Sequence, residues 1–297
     1  DFCLSRGLGD VYKRQAPAAR AGAMPKAPEW WRIMACLPRR CLALALAGRH
    51  KTPVERAEYD LMDAAEDGMW WYRAAHARIL DALRERPGPG GKLLDAGCGT
   101  GGLLRRLRAE MPALDAVGLD YLADAARRAA AKSGRPVTAG DANSLPFPDG
   151  SFGAAISIDV ICHASVTPER ALAELHRVLR PGGTLVLNLP AYEWMRSAHD
   201  VRVHNARRFT RGGAAKLLQA AGFAAIEGRY WNGLLLPLMA LQRKVLSRGP
   251  DAPSDVTEFP PWVDAVLHGI SDAERRIARL GLRIPAGGSV LMLATRP

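Results

Sequence analysis

The chain reads as an α/β protein whose sheet is mostly parallel, with helices on both faces. Three observations predict this. Short apolar runs of strand length alternate with helical patterns between Lys92 and Leu189, the signature of βαβ units. A glycine-rich turn follows the first of these runs and opens a helix. The 297 residues are 48% hydrophobic and 24% charged, a globular balance with enough chain to bury a core.

The elements follow in order. Residues 54–67 mix acids with Ala, Leu and Met and predict a helix. Trp70, Trp71, Ala74, Ala75, Ile79, Leu80 and Leu83 recur at helical spacing up to the stop Pro87-Gly88-Pro89-Gly90-Gly91. Strands are expected at Lys92–Ala96, Ala113–Leu119, Pro136–Ala139, Phe152–Ile158 and Thr184–Leu189, the last after a Pro181-Gly182-Gly183 turn. Helices are expected at Leu103–Glu110, Ala123–Lys132, Pro168–Leu179 and Gly212–Ala221. A sixth strand lies near Ala224–Tyr230, residues 233–282 read as a helical insertion, and Ser289–Thr295 reads as a late strand.

Composition narrows the class. No run approaches the ~18 apolar residues of a membrane-spanning helix. Cys3, Cys36, Cys41, Cys98 and Cys162 are few, odd in number and form no CxxC pair. That disfavours a disulfide scaffold and a zinc site and fits a reducing, cytoplasmic location. The net charge of +11 is unevenly spread: residues 1–50 hold nine Lys+Arg against three acids, and residues 191–250 hold ten against three. Such blocks attract acidic ligands, nucleic acid or anionic lipid, or form a solvated face.

Residues 1–50 lack helical or strand period and are expected to be a disordered or non-native leader, with a native start at Met24 or Met34. Residues 51–297 are expected to form one domain, with a cofactor-binding core at 88–190 and an acceptor-side cap and insertion at 191–285.

The turn reads Asp95-Ala96-Gly97-Cys98-Gly99-Thr100-Gly101-Gly102. Glycines let backbone approach a ligand and adopt positive φ, and a helix N-terminus adds free N–H groups. Asp120 ends the second strand, where a carboxylate can accept from a ribose diol. Gly97-x-Gly99-x-x-Gly102 alone also fits a dinucleotide fingerprint. Three features oppose a nicotinamide cofactor. Asp95 before the turn would repel a pyrophosphate and suits a cation. Asp141 and Ala142 follow the third strand, where an acid can accept from an adenine amino group. The runs Leu145-Pro146-Phe147-Pro148-Asp149-Gly150-Ser151-Phe152 and Leu179-Arg180-Pro181-Gly182-Gly183 lead into the fourth and fifth strands.

With these motifs in that order, the chain resembles the class I S-adenosylmethionine-dependent methyltransferases, over about residues 55–297 and most closely from Leu93 to Leu189. It looks like the type 11 branch, in a subset met near cell-envelope and glycan genes. The resemblance implies a seven-stranded sheet with the last strand antiparallel and S-adenosyl-L-methionine as cofactor. It implies that Asp95, Gly97, Cys98 and Gly99 lie near the methionine part, that Asp120 bonds the ribose and that Tyr121 packs on the adenine. Asp141 and Ala142 would meet the adenine edge, with Ser157 and Ile158 lining the pocket. Tyr72 or Arg73, on the N-terminal helix, would reach the cofactor carboxylate. Cys98 also reads as a small apolar filler and Tyr121 as ordinary packing.

An oxygen acceptor must be held in line behind the methyl and lose a proton to a base. Candidates follow the fourth and fifth strands. They are His163, then the cluster His199, Asp200 and His204, as an oriented base or a metal site; no metal is expected. Tyr192 is a candidate for acceptor binding, and Arg207 and Arg208 a candidate anion clamp or a helix-start salt bridge. Residues 233–248 are apolar and then basic, which fits a core helix, a lid or an interfacial helix touching a membrane. The leading expectation is methyl transfer to a small-molecule, glycan or lipid-linked acceptor, preferably at oxygen. The alternatives are a nucleic-acid methyltransferase, a nicotinamide-dependent oxidoreductase and a catalytically silent cofactor-binding scaffold. No nucleic-acid partner is expected.

Overall fold

The structure, a computed structural model, describes residues 56–243 and 259–297. The expected leader 1–50 and the basic end of the 233–248 segment lie outside these residues. Among the described residues, the helices α1 (Arg56–Ala65) and α2 (Trp70–Glu85) precede the sheet. Then come β1 (Lys92–Ala96), α3 (Gly102–Glu110), β2 (Asp115–Asp120), α4 (Ala123–Ser133), β3 (Val137–Ala139), β4 (Phe152–Ile158), α5 (Pro168–Val178) and β5 (Leu179–Pro190). A single 3₁₀ turn at Glu193–Met195 leads to α6 (Ala198–Arg202), α7 (Arg211–Ala220), β6 (Ala224–Trp231), α8 (Leu236–Leu241), α9 (Pro261–Arg279) and β7 (Ser289–Thr295).

The seven strands form one sheet in the order β3-β2-β1-β4-β5-β7-β6. The pairings from β3 through to β5 are parallel, and β7 runs antiparallel to both β5 and β6. Strand order reverses between β1 and β4, so the crevice beyond their carboxyl ends is where this architecture receives a ligand. Adjacent strand residues face opposite sides, and the core divides accordingly. Leu93, Ile156 and Val186 pack with Leu80, Leu83, Leu104 and Leu107 of α2 and α3. Leu94, Ala155 and Leu185 pack with Leu172, Leu175 and Leu218 of α5 and α7. Each such fully buried leucine is worth about 1.5–3 kcal/mol, so both helical layers are held by the sheet's own alternation.

One expectation is corrected. The Pro181-Gly182-Gly183 turn lies inside β5, not before it. Leu179 pairs with Phe152 and Thr184 with Ala154, so an irregularity absorbs the extra residues. Gly182 takes φ +77 there and donates to Arg296 O, which keeps the bulge attached to the chain's last strand. Among the described residues, the expected helical insertion carries the short α8 and the 19-residue α9.

Candidate active site

The β1–α3 turn is pinned before it meets any ligand. Gly97 N and Cys98 N both donate to Leu119 O of β2, at 2.7 and 2.9 Å. Gly97, Gly99 and Gly101 have φ of +88, +56 and +96, values that disfavour any side chain. A Cβ on Gly97 would stand 2.1 Å from Val160 Cγ2, so the loop after β4 closes directly on the turn. Cys98 is buried against Gly118, and burial first, then the charges of Asp95 and Asp120, push its thiol well above the usual range. It is a packing residue.

Asp120 ends β2 with its carboxylate turned toward the turn. Oδ2 accepts from Gly99 N at 2.9 Å, and Oδ1 accepts from Leu122 N at 3.0 Å and from the Tyr59 hydroxyl at 3.2 Å. Burial raises its pKa to about 6, against the pull of these hydrogen bonds. Asp95, buried at the end of β1, is raised to about 7 by burial and by the nearby charges of Asp120 and Glu66. Crowded carboxylates of this kind favour a cationic ligand, which relieves their repulsion. Tyr121 is exposed beside them. Asp141 is exposed too, with Oδ1 accepting from Asn143 N and Nδ2, both at 2.8 Å, and Ala142 lies next to it.

The N-terminal helix supplies residues that the motif reading missed. Tyr59, Met62 and Glu66 recur at helical spacing on the approach to the turn. Met62 Sδ lies 2.8 Å from the place a Gly99 Cβ would occupy. Glu66 accepts from Thr100 Oγ1 at 2.5 Å and from Lys132 Nζ at 2.6 Å. Their i, i+3, i+7 spacing was the available signal.

Three of the residues expected at the cofactor have partners within the protein. The Arg73 guanidinium is taken by Asp264 of α9, and Tyr72 packs on Trp71 and His76, so α2 presents packed and paired groups where a carboxylate contact was expected. Ser157 is buried and donates to Ala96 O at 2.9 Å, tying β4 to β1 instead of lining an open pocket, while Ile158 beyond it is half-buried.

The acceptor side departs further. Arg208 and Asp200 form a closed ion pair at 2.9 Å, with side chains 3% and 0% exposed. Arg208 also donates to Ala191 O at 3.0 Å. Burial would raise the Asp200 carboxyl, but the charge and hydrogen bonds of Arg208 and the Ser197 N–H hold it below the usual range. Arg207 Nη1 donates to the carbonyls of Ile161, His163 and Val166, at 2.8–3.0 Å. Both arginines are engaged within the protein, and Asp200 is the counter-ion of Arg208. His199 sits on the same short helix, and His204 takes φ +55 beyond it.

Two groups remain suited to proton transfer. Asp159 closes β4 at φ +51, its Oδ1 accepts from Asn188 Nδ2 at 3.0 Å, and burial raises its pKa to about 7. His163 Nδ1 lies 2.9 Å from Val203 O. A carbonyl only accepts, so Nδ1 carries the proton and Nε2 is the free acceptor. Burial lowers the His163 pKa, which keeps the ring neutral near pH 7. Tyr192, strained at φ +55, stacks between Trp194 and Tyr230 with ring centroids 5.9 and 5.3 Å away. It is part of an aromatic wall after β5.

A domain family described as a methyltransferase domain matches residues 94–187. The 24-methylenesterol C-methyltransferase 2 of Oryza sativa subsp. japonica is 37% identical over 130 residues, covering 41% of this chain and 34% of that protein. The ubiquinone/menaquinone biosynthesis C-methyltransferase UbiE of Methylobacterium nodulans is 32% identical over 209 residues, covering 59% of this chain and 82% of that protein. A solved structure from Thermotoga maritima, described as an S-adenosylmethionine-dependent methyltransferase and possible histamine N-methyltransferase, superposes with a TM-score of 0.51. It is 22% identical and covers 82% of this chain and 96% of its own, a likeness of fold. The chain spans less than half the length of the first three curated relatives that it matches. Fold, turn and relatives together define one class: the chain belongs to the class I S-adenosylmethionine-dependent methyltransferases. That assignment sets the nicotinamide reading aside. S-adenosylmethionine is the cofactor of this class, and the residues present fit it: a cation beside the crowded acids Asp95 and Asp120, and a diol within reach of Asp120.

Proposed function

We propose that the protein methylates a hydroxyl oxygen of a small-molecule acceptor, free or carried on a glycan or lipid. The observation that carries this reading is Asp159. It stands at the carboxyl end of β4, one residue from Val160, whose side chain fills the space against Gly97 of the cofactor turn. Its pKa near 7 suits a general base at neutral pH. Bound S-adenosylmethionine supplies a methyl on a sulfonium, so the protein must position the acceptor and take its proton. Gly97, Gly99 and Asp120 would hold the cofactor, with Tyr121 and Asp141 beside the adenine. Asp159 would receive the hydroxyl proton, and His163 Nε2 is a second acceptor on the same loop. The aromatic wall of Tyr192, Trp194 and Tyr230 would orient a flat or apolar acceptor, and holding it in line supplies much of the rate.

A second reading is methylation at carbon, favoured by the names of the sterol and quinone C-methyltransferases among the relatives. Asp159 would take the phenol proton, the phenolate would direct its ring carbon to the same methyl, and the proton on that carbon would then pass to the ring oxygen through solvent or His163 Nε2.

The test is a pH–rate profile with a panel of phenols, sterols and hydroxylated sugars. Turnover should rise through about pH 7 and level off above it, and Asp159→Asn should remove that rise while leaving S-adenosylhomocysteine affinity intact. An unchanged profile in Asp159→Asn would rule out Asp159 as the base, and a rise displaced to lower pH in that variant would point to His163, whose pKa burial lowers. No turnover by the wild type of any hydroxylated acceptor, despite cofactor binding, would defeat the reading.

A further inference from the structure

Helix α9 turns only part of its apolar surface inward, with Val263, Leu267 and Ile270 half-buried, whereas a soluble amphipathic helix ordinarily turns its whole apolar stripe to the core. Its buried residues are Ser271 and Glu274. Glu274 accepts from Asn232 N and Leu234 N at 2.7 and 3.0 Å, and Arg78 of α2 donates to Ser271 O at 2.7 Å. Further along, Asp264 pairs with Arg73, and Arg275 and Arg279 pair with Asp81. The contacts advance together along both helices, so α9 runs parallel to α2 and is fastened to it by polar groups.

The opposite face carries Trp262, Val266, Ala273, Ile277 and Leu280, spaced by three, four or seven residues so that they fall on one line. All five are exposed, Trp262 by 72% and Leu280 by 81%. Continuous apolar surface of this kind marks a place of association. Leu234, whose N–H is held by Glu274, begins a second exposed group with Leu238 and Leu241. The α9 stripe starts at the ligand-receiving end of the sheet. The chain enters α2 at that end, because α2 leads down to the start of β1, and Asp264 meets α2 in its first turn through Trp70 N at 2.6 Å.

We propose that α9 docks the protein on an anionic lipid surface, with Trp262 at the headgroup level and the active-site rim facing the bilayer. Charge selects this occupant. Beside the stripe, three ion pairs have their arginine outermost: Arg276 is 75% exposed over Asp272 at 20%, Arg279 50% over Asp81 at 11%, and Arg283 76% over Glu227 at 27%. Apolar residues flanked by outward cations are the pattern of an interfacial helix. A second copy docked face to face would set these arginines against their own kind, and residues 1–50, with nine Lys+Arg against three acids, would add like charge. The proposal does not depend on the acceptor chemistry.

The experiment is co-sedimentation of the full chain with large vesicles of equal parts phosphatidylglycerol and phosphatidylcholine, and with phosphatidylcholine alone. The wild type should partition onto the anionic vesicles and only weakly onto the neutral ones. The triple variant Trp262→Ser/Val266→Ser/Leu280→Ser should lose about tenfold in partition for each large side chain removed. Arg276→Gln/Arg283→Gln should lose about fivefold per arginine. Both variants should keep the wild-type melting temperature and S-adenosylhomocysteine affinity, since the altered side chains point to solvent. A wild type that stays in the supernatant would overturn the proposal. So would variants that bind like the wild type, which would assign binding to residues 1–50, or a concentration-dependent dimer abolished by the serine variant, which would assign the stripe to a second copy. If the serine variant misfolds, the arginine variant decides alone.

Discussion

The two halves of the crevice use their charged residues in opposite ways. On the β1–β2 side, Asp95 and Asp120 are crowded together with raised pKa values of about 7 and 6, a surplus of negative charge awaiting a cation. On the side after β5, Asp200 and Arg208 cancel each other inside the protein, and Arg207 is consumed by three backbone carbonyls. A ligand site keeps its charge unbalanced, whereas a scaffold neutralises it. Similar residue types therefore carry different meanings, and only their partners distinguish them.

That contrast can be broken at either half. The largest effect is expected from Asp200→Asn, which leaves the Arg208 guanidinium buried without a counter-ion. Losing one partner of such a pair costs about 3–5 kcal/mol, so thermal unfolding should shift down by many degrees while the cofactor turn is untouched. Gly97→Ala should come next. It places a side chain at φ +88 and on top of Val160, and calorimetry should show S-adenosylhomocysteine binding lost or nearly so, with partial recovery in Gly97→Ala/Val160→Ala. Asp120→Ala removes bonds to a charged acceptor worth roughly 1.5–3 kcal/mol each, about tenfold to a hundredfold in affinity.

The pH dependence sharpens the same contrast. Both Asp95 and Asp120 are raised above the ordinary carboxylate range in the free protein, and a cationic ligand favours their ionised forms. Binding must then release protons at low pH. The affinity for S-adenosylhomocysteine, whose ammonium group is cationic, should climb as pH rises from 5 toward 7 and flatten above it. A flat titration across that range would mean that the acids do not face the ligand. The smallest effect should come from Tyr59→Phe. Its hydroxyl holds Asp120 Oδ1, so removing it should change cofactor affinity by about 0.5–1.5 kcal/mol, in the direction of tighter binding.

The same division explains what could be read from the sequence. The bounds of β1, β4 and β7 were legible to the residue because each is a short apolar run closed by polar or turn residues. The cofactor turn was legible because its glycines and Asp120 are fixed by local geometry. The fate of Arg73 was not, since its partner Asp264 lies 191 residues away. Arg208 and Asp200 are only eight residues apart. Their pairing was hidden because the sequence cannot tell an inward guanidinium from an outward one. The start of β5 was misread for a related reason: Pro181-Gly182-Gly183 signals a turn, and the bulge that keeps it in the sheet depends on Arg296 at the far end of the chain.

The most direct measurement is a parallel calorimetric titration of S-adenosylhomocysteine into the wild type, Asp120→Ala and Asp200→Asn, each well below its melting temperature. The wild-type affinity should fall about tenfold to a hundredfold in Asp120→Ala, the spread expected for charge-assisted bonds, and stay unchanged in Asp200→Asn. Equal weakening in both variants, or wild-type affinity in Asp120→Ala, would contradict it.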